Sequence, residues 1–362
     1  MAVLLPARVL NLRGPAARGQ RERVEDQPVK PIPDTSERVR APISVVIPTH
    51  NHGPYVVAAI RSALDQTPPP LEIIVVNDGS SDDTESRLEG LVRSGAIRYL
   101  KQANAGQAAA RNAGAALALG RFLVFLDDDD LMPPDSLRWR HAALEADPAA
   151  AAVIGNHISF GNGDDIPVEP TKPGAARPIS RLGLFGGNPA VSPGQALIRR
   201  DAFDRAGGFA EDIWGADDWD LWFRLAEAGR LLHVDRRALC YRLHASNSSR
   251  QISRLCRNAA LVLERHMLAL RAGDRSTIRS LSRTALAETW QPWLWQAARR
   301  GVREGRWSDA TRSILTLVWL ARRRFAAALR LKLWLVRGGR FRLDPADALV
   351  ASFYDRQFFV ET

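Results

Sequence analysis

An apolar run, residues 122–126 (Phe-Leu-Val-Phe-Leu), ends abruptly in four carboxylates, Asp127-Asp128-Asp129-Asp130. Nothing else in the chain restricts its fold so tightly. A short apolar run of this kind reads as a buried strand, which puts the acids at its C-terminal tip. In open α/β sheets, ligands bind at the carboxyl ends of the strands. Four adjacent carboxylates repel one another and do not stay ionised together cheaply. A hard divalent cation relieves that repulsion, and Mg2+ commonly takes substrate phosphates as further ligands. The plainer alternative is a solvated acidic turn that caps the next segment.

The flanking sequence supports a sheet. Residues 42–48 form a β-branched strand closed by proline, 71–76 a second buried strand and 97–101 a short third. Helical patterns fall between them at 55–63, 86–93 and 107–119. This alternation predicts an α/β fold with a mostly parallel sheet flanked by helices. Beyond the acids, helices are expected at 133–144, 201–206 and 218–227, and strands at 151–160, 195–199 and within 231–243. Residues 161–194 are rich in Gly and Pro and form a long loop of the kind that often covers a substrate. Residues 1–40 carry many Arg and Pro with little apolar periodicity and read as disordered.

Charge divides the chain. The net charge is +10, yet residues 250–362 hold 22 Lys+Arg against 9 Asp+Glu. Residues 1–249 hold 28 against 31, so the basicity belongs to the C-terminal third. That argues against nucleic-acid binding by the α/β part and for a basic helical extension. Six of the ten tryptophans lie in that third, interleaved with Arg322-Arg323-Arg324, Arg330 and Lys332. Such a pattern suits a helix on an anionic membrane surface. It equally suits a helical lid whose apolar face packs on the α/β part. No run of apolar residues is long enough to span a bilayer. No secretory signal is recognisable, and Cys240 and Cys256 have neither metal spacing nor a disulfide framework. The expected location is therefore cytoplasmic, as a peripheral protein of the inner face of the plasma membrane if the basic third binds lipid.

Five segments in order resemble glycosyltransferase family 2, which has the GT-A fold. They are Val45-Val46-Ile47-Pro48-Thr49-His50-Asn51, Val76-Asn77-Asp78-Gly79-Ser80-Ser81-Asp82-Asp83-Thr84, Asn104-Ala105-Gly106 through Ala110-Arg111-Asn112-Ala113-Gly114, the Phe125–Asp130 run, and Asp217-Asp218-Trp219-Asp220-Leu221-Trp222. The resemblance spans about residues 42–245. It implies a GT-A domain over 41–249, followed by the basic region 250–362. It also implies donor contacts at Pro48, Thr49, Asn51, Asp78, Gly106, Arg111, Asp127 and Asp128. Asp78 matches the base-binding carboxylate, and a carboxylate can accept from an imide N–H. A turn-forming role before Gly79 is the alternative. Arg111 suits diphosphate oxygens, or a carboxylate of the acidic strand. Asp129 is implied to hold Mg2+ or Mn2+, joined by His244, although a lone His is commonly structural.

Asp218 matches the family's general base, which takes the proton of the acceptor hydroxyl. Asp217 stands where the family usually has Glu. Asp217, Trp214 and Trp219 are implied on the acceptor side, while Asp220 and Trp222 read as helix charge and core. Gln251-Ile252-Ser253-Arg254-Leu255 resembles the processive enzymes' Gln-x-x-Arg-Trp, with leucine in place of tryptophan. The expected activity is inverting transfer from a nucleotide sugar, UDP-linked in the first instance, to a saccharide or lipid-linked acceptor in cell-surface polysaccharide synthesis. A non-catalytic nucleotide-sugar-binding scaffold is the competing expectation.

Overall fold

The computed structural model describes residues 40–161, 174–244, 247, 250–270 and 272–336, by backbone alone at a few positions before 282 and from 322 onward. The expectations for 1–39 and for the side chains of Arg322-Arg323-Arg324, Arg330 and Lys332 lie outside the described residues.

In the first half, β1 (Ala41–Thr49), β2 (Pro70–Asp78), β3 (Arg98–Gln102) and β4 (Phe122–Phe125) alternate with α1 (Gly53–Leu64), α2 (Thr84–Arg93) and α3 (Gln107–Leu117). Then follow α4 (Ser136–Ala146), β5 (Ala150–Gly161), β6 (Arg177–Ile179), β7 (Ala196–Arg199), α5 (Arg200–Ala206), α6 (Asp217–Ala228) and β8 (Arg230–Leu243). Three helices close the described chain: α7 (Ile252–Met267), α8 (Ala272–Arg303) and α9 (Trp307–Val336).

One sheet of eight strands runs β3-β2-β1-β4-β7-β5-β8-β6. Only β6 and β7 are reversed, being antiparallel to each of their partners. The mostly parallel α/β sheet expected from the sequence is therefore present. The 161–194 segment accounts for both reversals: it leaves the C-terminal end of β5 and returns to that end before β7 starts.

Alternate side chains explain why the strands read as unbroken apolar runs. Val46, Ile74, Val76, Leu123 and Phe125 enter one core, with Phe203, Leu221 and Trp222 of α5 and α6. Val45, Ile47, Ile73, Val75, Phe122 and Val124 enter the other, with Ile60 of α1 and Leu144 of α4. Helix α3 lies so close to β1 that a Cβ on Gly114 would come within 2.4 Å of Val46 Cγ1. Pro48 is tolerated in a central strand because β4 pairs with β1 only as far as Val46.

The basic third does not stand apart. Cys256, Val262 and Leu263 of α7, Leu286 and Leu294 of α8 and Leu320 of α9 belong to the same core as Trp222 and Phe203. The described part of the 161–194 loop is also held, with Leu184 and Phe185 buried there. Among the described residues, no helix is long and apolar enough to cross a membrane.

Candidate active site

The tip of β4 turns beside β1, where Leu126 N–H donates to the Val46 carbonyl (2.9 Å). The four acids then diverge. Asp127 accepts from Arg111 (2.6 Å), Gln107 (3.0 Å) and the Ser192 hydroxyl (3.0 Å). Asp128 is buried against His52, Nδ1 to Oδ1 2.8 Å, and its Oδ2 is buried with no hydrogen-bond partner. Asp129 meets His244 Nε2 at 2.8 Å. Asp130 is fully buried; it accepts from Arg242 N–H, and burial, with its neighbours Asp129 and Asp127, pushes its carboxyl well up. Asp130 is thus enclosed, while Asp127, Asp128 and Asp129 are each held by a partner from another element.

His52, Asp128 and Asp129 present ligand atoms within 4.8 Å of one another. Two hard carboxylates, one imidazole and an unpartnered buried oxygen suit a divalent cation. The hydrogen bond to Asp128, opposed by burial, raises His52 to about 9, so without a cation the imidazolium itself offsets the acids. His244, implied as a ligand, touches Asp129 and stacks near Tyr55 (4.9 Å).

A second carboxylate pair opens α6. Arg111, buried in α3, donates to Asp217 (2.7 Å) as well as to Asp127, and so ties the two acid clusters together. Of the two roles open to Arg111, the structure shows the ion pair. Asp217, expected on the acceptor side, is buried and engaged by Arg111. Burial pushes its carboxyl up, while the guanidinium pulls it down. Asp218 accepts from Asn188 Nδ2 at 3.2 Å to each oxygen and from Trp219 N–H at 2.7 Å. Burial, then the neighbouring Asp217, raises Asp218 to about 7. That value suits a group that must take up a proton near neutral pH.

Trp219, expected on the acceptor side, is 4% exposed, packs in the core and donates its indole N–H to the Leu184 carbonyl (3.0 Å). Trp214 is half-buried, with the Arg254 guanidinium 4.1 Å above its ring. The Arg of the Gln251–Leu255 segment is thereby fixed beside the start of α6. Asp220 anchors α6 to α7 through His266 (2.8 Å) and is paired with Arg224 (2.7 Å).

At the end of β2, Asp78 accepts from Gln102 (2.8 Å), Ala105 N–H (2.8 Å) and Gly106 N–H (2.9 Å). A carboxylate has about four acceptor sites, so one remains. Gly106 has φ 92°, in the left-handed region, and open space where a Cβ would stand. Asn51 (φ 58°) accepts from Ser81 and Asp82 N–H, joining the loops after β1 and β2. Thr49 is buried between them and Asp128.

Several residues escaped the sequence reading. His52 lies one residue past the first motif, and only the fold brings it to Asp128. Asn188 and Ser192 come from the glycine-rich loop. Arg242 lies between the Tyr55 (5.2 Å) and Phe160 (4.5 Å) rings and donates from Nε to the Asp129 carbonyl (2.8 Å).

A parallel sheet whose fourth strand ends in these acids, with a buried carboxylate pair opening a later helix, has the GT-A fold. Two solved structures share it. A mannosyltransferase from Pyrobaculum calidifontis in complex with GDP-Man and Mn2+ matches with TM-score 0.54 and 20% identity, over 82% of this chain and 88% of that one. Residues 1–349 of S. aureus TarS with UDP-GlcNAc match with TM-score 0.52 and 18% identity, over 83% and 93%.

The family model "Glycosyl transferase family 2" matches residues 44–207, and "Glycosyltransferase like family 2" matches 189–272, together more than half of the chain. The chain belongs to glycosyltransferase family 2. Among curated relatives, Escherichia coli chondroitin synthase is 29% identical over 242 residues, covering 64% of this chain and 32% of that protein. Pasteurella multocida hyaluronan synthase is 29% identical over 229 residues, 60% of this chain and 22% of that protein. The chain therefore spans about a third or less of these relatives' length.

Proposed function

We propose that this chain transfers a glycosyl group, with inversion, from a nucleoside-diphosphate sugar to a hydroxyl of a saccharide or lipid-linked acceptor. The observation that carries the reading is Asp218. It is buried, raised to about 7, and linked through Asp217 and Arg111 to the acid tip of β4. A base held this way collects the acceptor proton as the hydroxyl oxygen attacks the anomeric carbon from the face opposite the leaving diphosphate. Asp217 acts on Arg111, and Asn188 holds both oxygens of Asp218. Trp214 lines the acceptor side.

The donor lies along the loops after β1 and β2. Thr49, Asn51 and the remaining acceptor site of Asp78 face the base, and the Gly106 backbone gives it room. Asp127, oriented by Arg111, Gln107 and Ser192, meets the ribose or the sugar. His52, Asp128 and Asp129 hold Mg2+ or Mn2+, with His244 positioning Asp129. When bound, that cation neutralises charge on the departing nucleoside diphosphate. A UDP-sugar is the first candidate, since uracil offers an imide N–H to Asp78 and TarS is seen with UDP-GlcNAc. The named chondroitin and hyaluronan synthases support a role in cell-surface polysaccharide synthesis.

The test is donor hydrolysis against UDP-, GDP- and dTDP-sugars with Mn2+ or Mg2+, with donor binding read in the same samples. Metal-dependent release of one nucleoside diphosphate, lost in Asp129→Ala and in Asp218→Asn with acceptor present, supports the reading. Donor binding without turnover on any acceptor supports a scaffold instead.

A further inference from the structure

Helix α9 is apolar on two sides. Inward it buries Ala310, Ser313, Thr316 and Leu320 and packs Leu317 and Trp319 on the core, with Ser313 facing Ser253 (3.4 Å) and Thr316 accepting from Arg257 (3.4 Å) on α7. Its outward side carries Trp307 (65% exposed), Ile314 (45%), Leu315 (63%) and Val318 (48%). These four recur at helical spacing and so share one stripe. A solvated helix packed on a domain places such residues the other way round. The end of α8 adds exposed Trp295 and Val302, seven residues apart and so on one side of that helix. Exposed Arg299, Arg303 and Arg312 accompany them. Of the nearby acids, Glu304 is paired with Arg306, and Asp309 is paired with Arg306 and Arg312.

We infer that this face of α8 and α9 docks on an anionic lipid surface. Tryptophan and leucine flanked by arginine match the boundary between headgroups and acyl chains, where apolar burial and attraction to anionic lipid act together. Charge selects this occupant over a second copy of the chain. Around the stripe itself, Arg299, Arg300, Arg303, Arg306 and Arg312 stand against Glu304 and Asp309, so two such surfaces repel each other, whereas an anionic bilayer attracts each one. On this inference α7 and the inner sides of α8 and α9 build the core, and the outer side meets lipid. The face contains none of the candidate-site residues, so the inference stands apart from the glycosyl-transfer reading.

The experiment is sedimentation of the full chain with phosphatidylcholine vesicles, with and without phosphatidylglycerol, at low and high salt. The comparison is with the double variant Trp307→Ser, Leu315→Ser. Both positions are exposed, and an unchanged unfolding temperature verifies that the variant folds. The expected result is binding to the anionic vesicles that weakens with salt, and a loss of roughly tenfold or more in partitioning for the double variant. Absence of binding to anionic vesicles overturns the inference, as does equal binding to both vesicle types. Binding that the double variant leaves intact overturns it too, because charge alone then suffices. So does a double variant that abolishes self-association in sedimentation velocity while vesicle binding persists, which assigns the stripe to a second copy.

Discussion

Replacing Asp218 by Asn should stabilise the protein and stop it working, and the stabilisation should grow with pH. In the folded chain the carboxyl is raised from 3.8 to about 7. A raised acid favours folding while it is protonated, and that advantage is lost as pH rises towards and through the folded value. Between about pH 5 and about pH 8, at about 1.4 kcal/mol per pH unit up to that value, the loss comes to about 2.5 kcal/mol. The pull of Arg111 is already contained in that value, so about 2.5 kcal/mol is the working figure. Asn fills the same space and never ionises. Its advantage over wild type should therefore increase by about 2.5 kcal/mol across that range, or about 5 °C in Tm for a domain of this size. The assay is thermal unfolding of both proteins at several pH values, with acceptor-dependent transfer measured in parallel. Transfer should drop about a hundredfold or more in the variant. In the wild type it should fall below about pH 7, as the base becomes protonated. A stability gap that does not widen with pH would refute the claim that Asp218 is buried at a cost. Transfer by the Asn variant within tenfold of wild type would remove Asp218 as the base.

Arg111→Met leaves Asp127 and Asp217 facing each other without their shared cation. It should cost about 3–5 kcal/mol in chemical denaturation, because a buried charge loses its partner. Mn2+ or Mg2+ should raise Tm in wild type and much less in Asp128→Ala. The shift should be larger at about pH 8.5 than at about pH 6.5, because His52, raised to about 9, must shed its proton to ligate. His266→Ala removes a hydrogen bond to the buried Asp220 and should cost about 1–3 kcal/mol in stability, with a parallel fall in transfer, since Asp220 lies in the same helical turn as Asp218. Arg242→Lys keeps the charge but loses the planar stack between Tyr55 and Phe160, and should weaken donor affinity more than it slows turnover.

What the sequence made legible, and what it hid, follow one physical division. Strand-forming runs such as Val45-Val46-Ile47 and Phe122 to Phe125 are apolar on both sides because each faces a separate core, and that pattern is local. The acids at the β4 tip and at the start of α6 were legible for the same reason, as abrupt charge beside apolar sequence. His52, Asn188 and Ser192 were not, since nothing near them in sequence marks them. His52 gains its meaning only when the α1 N-terminus is brought against β4, and the other two only when the loop before β7 returns to the acid tip. Neighbours on α6 diverge, because one residue along a helix turns a side chain by about 100°. Asp218 meets Asn188, Trp219 packs in the core, and Asp220 reaches His266 of α7. Helix α6 therefore presents Asp218 on one side and Asp220, its anchor to α7, on another. A disturbance of α7 is therefore expected to reach Asp218 through Asp220, which is what the His266→Ala variant tests.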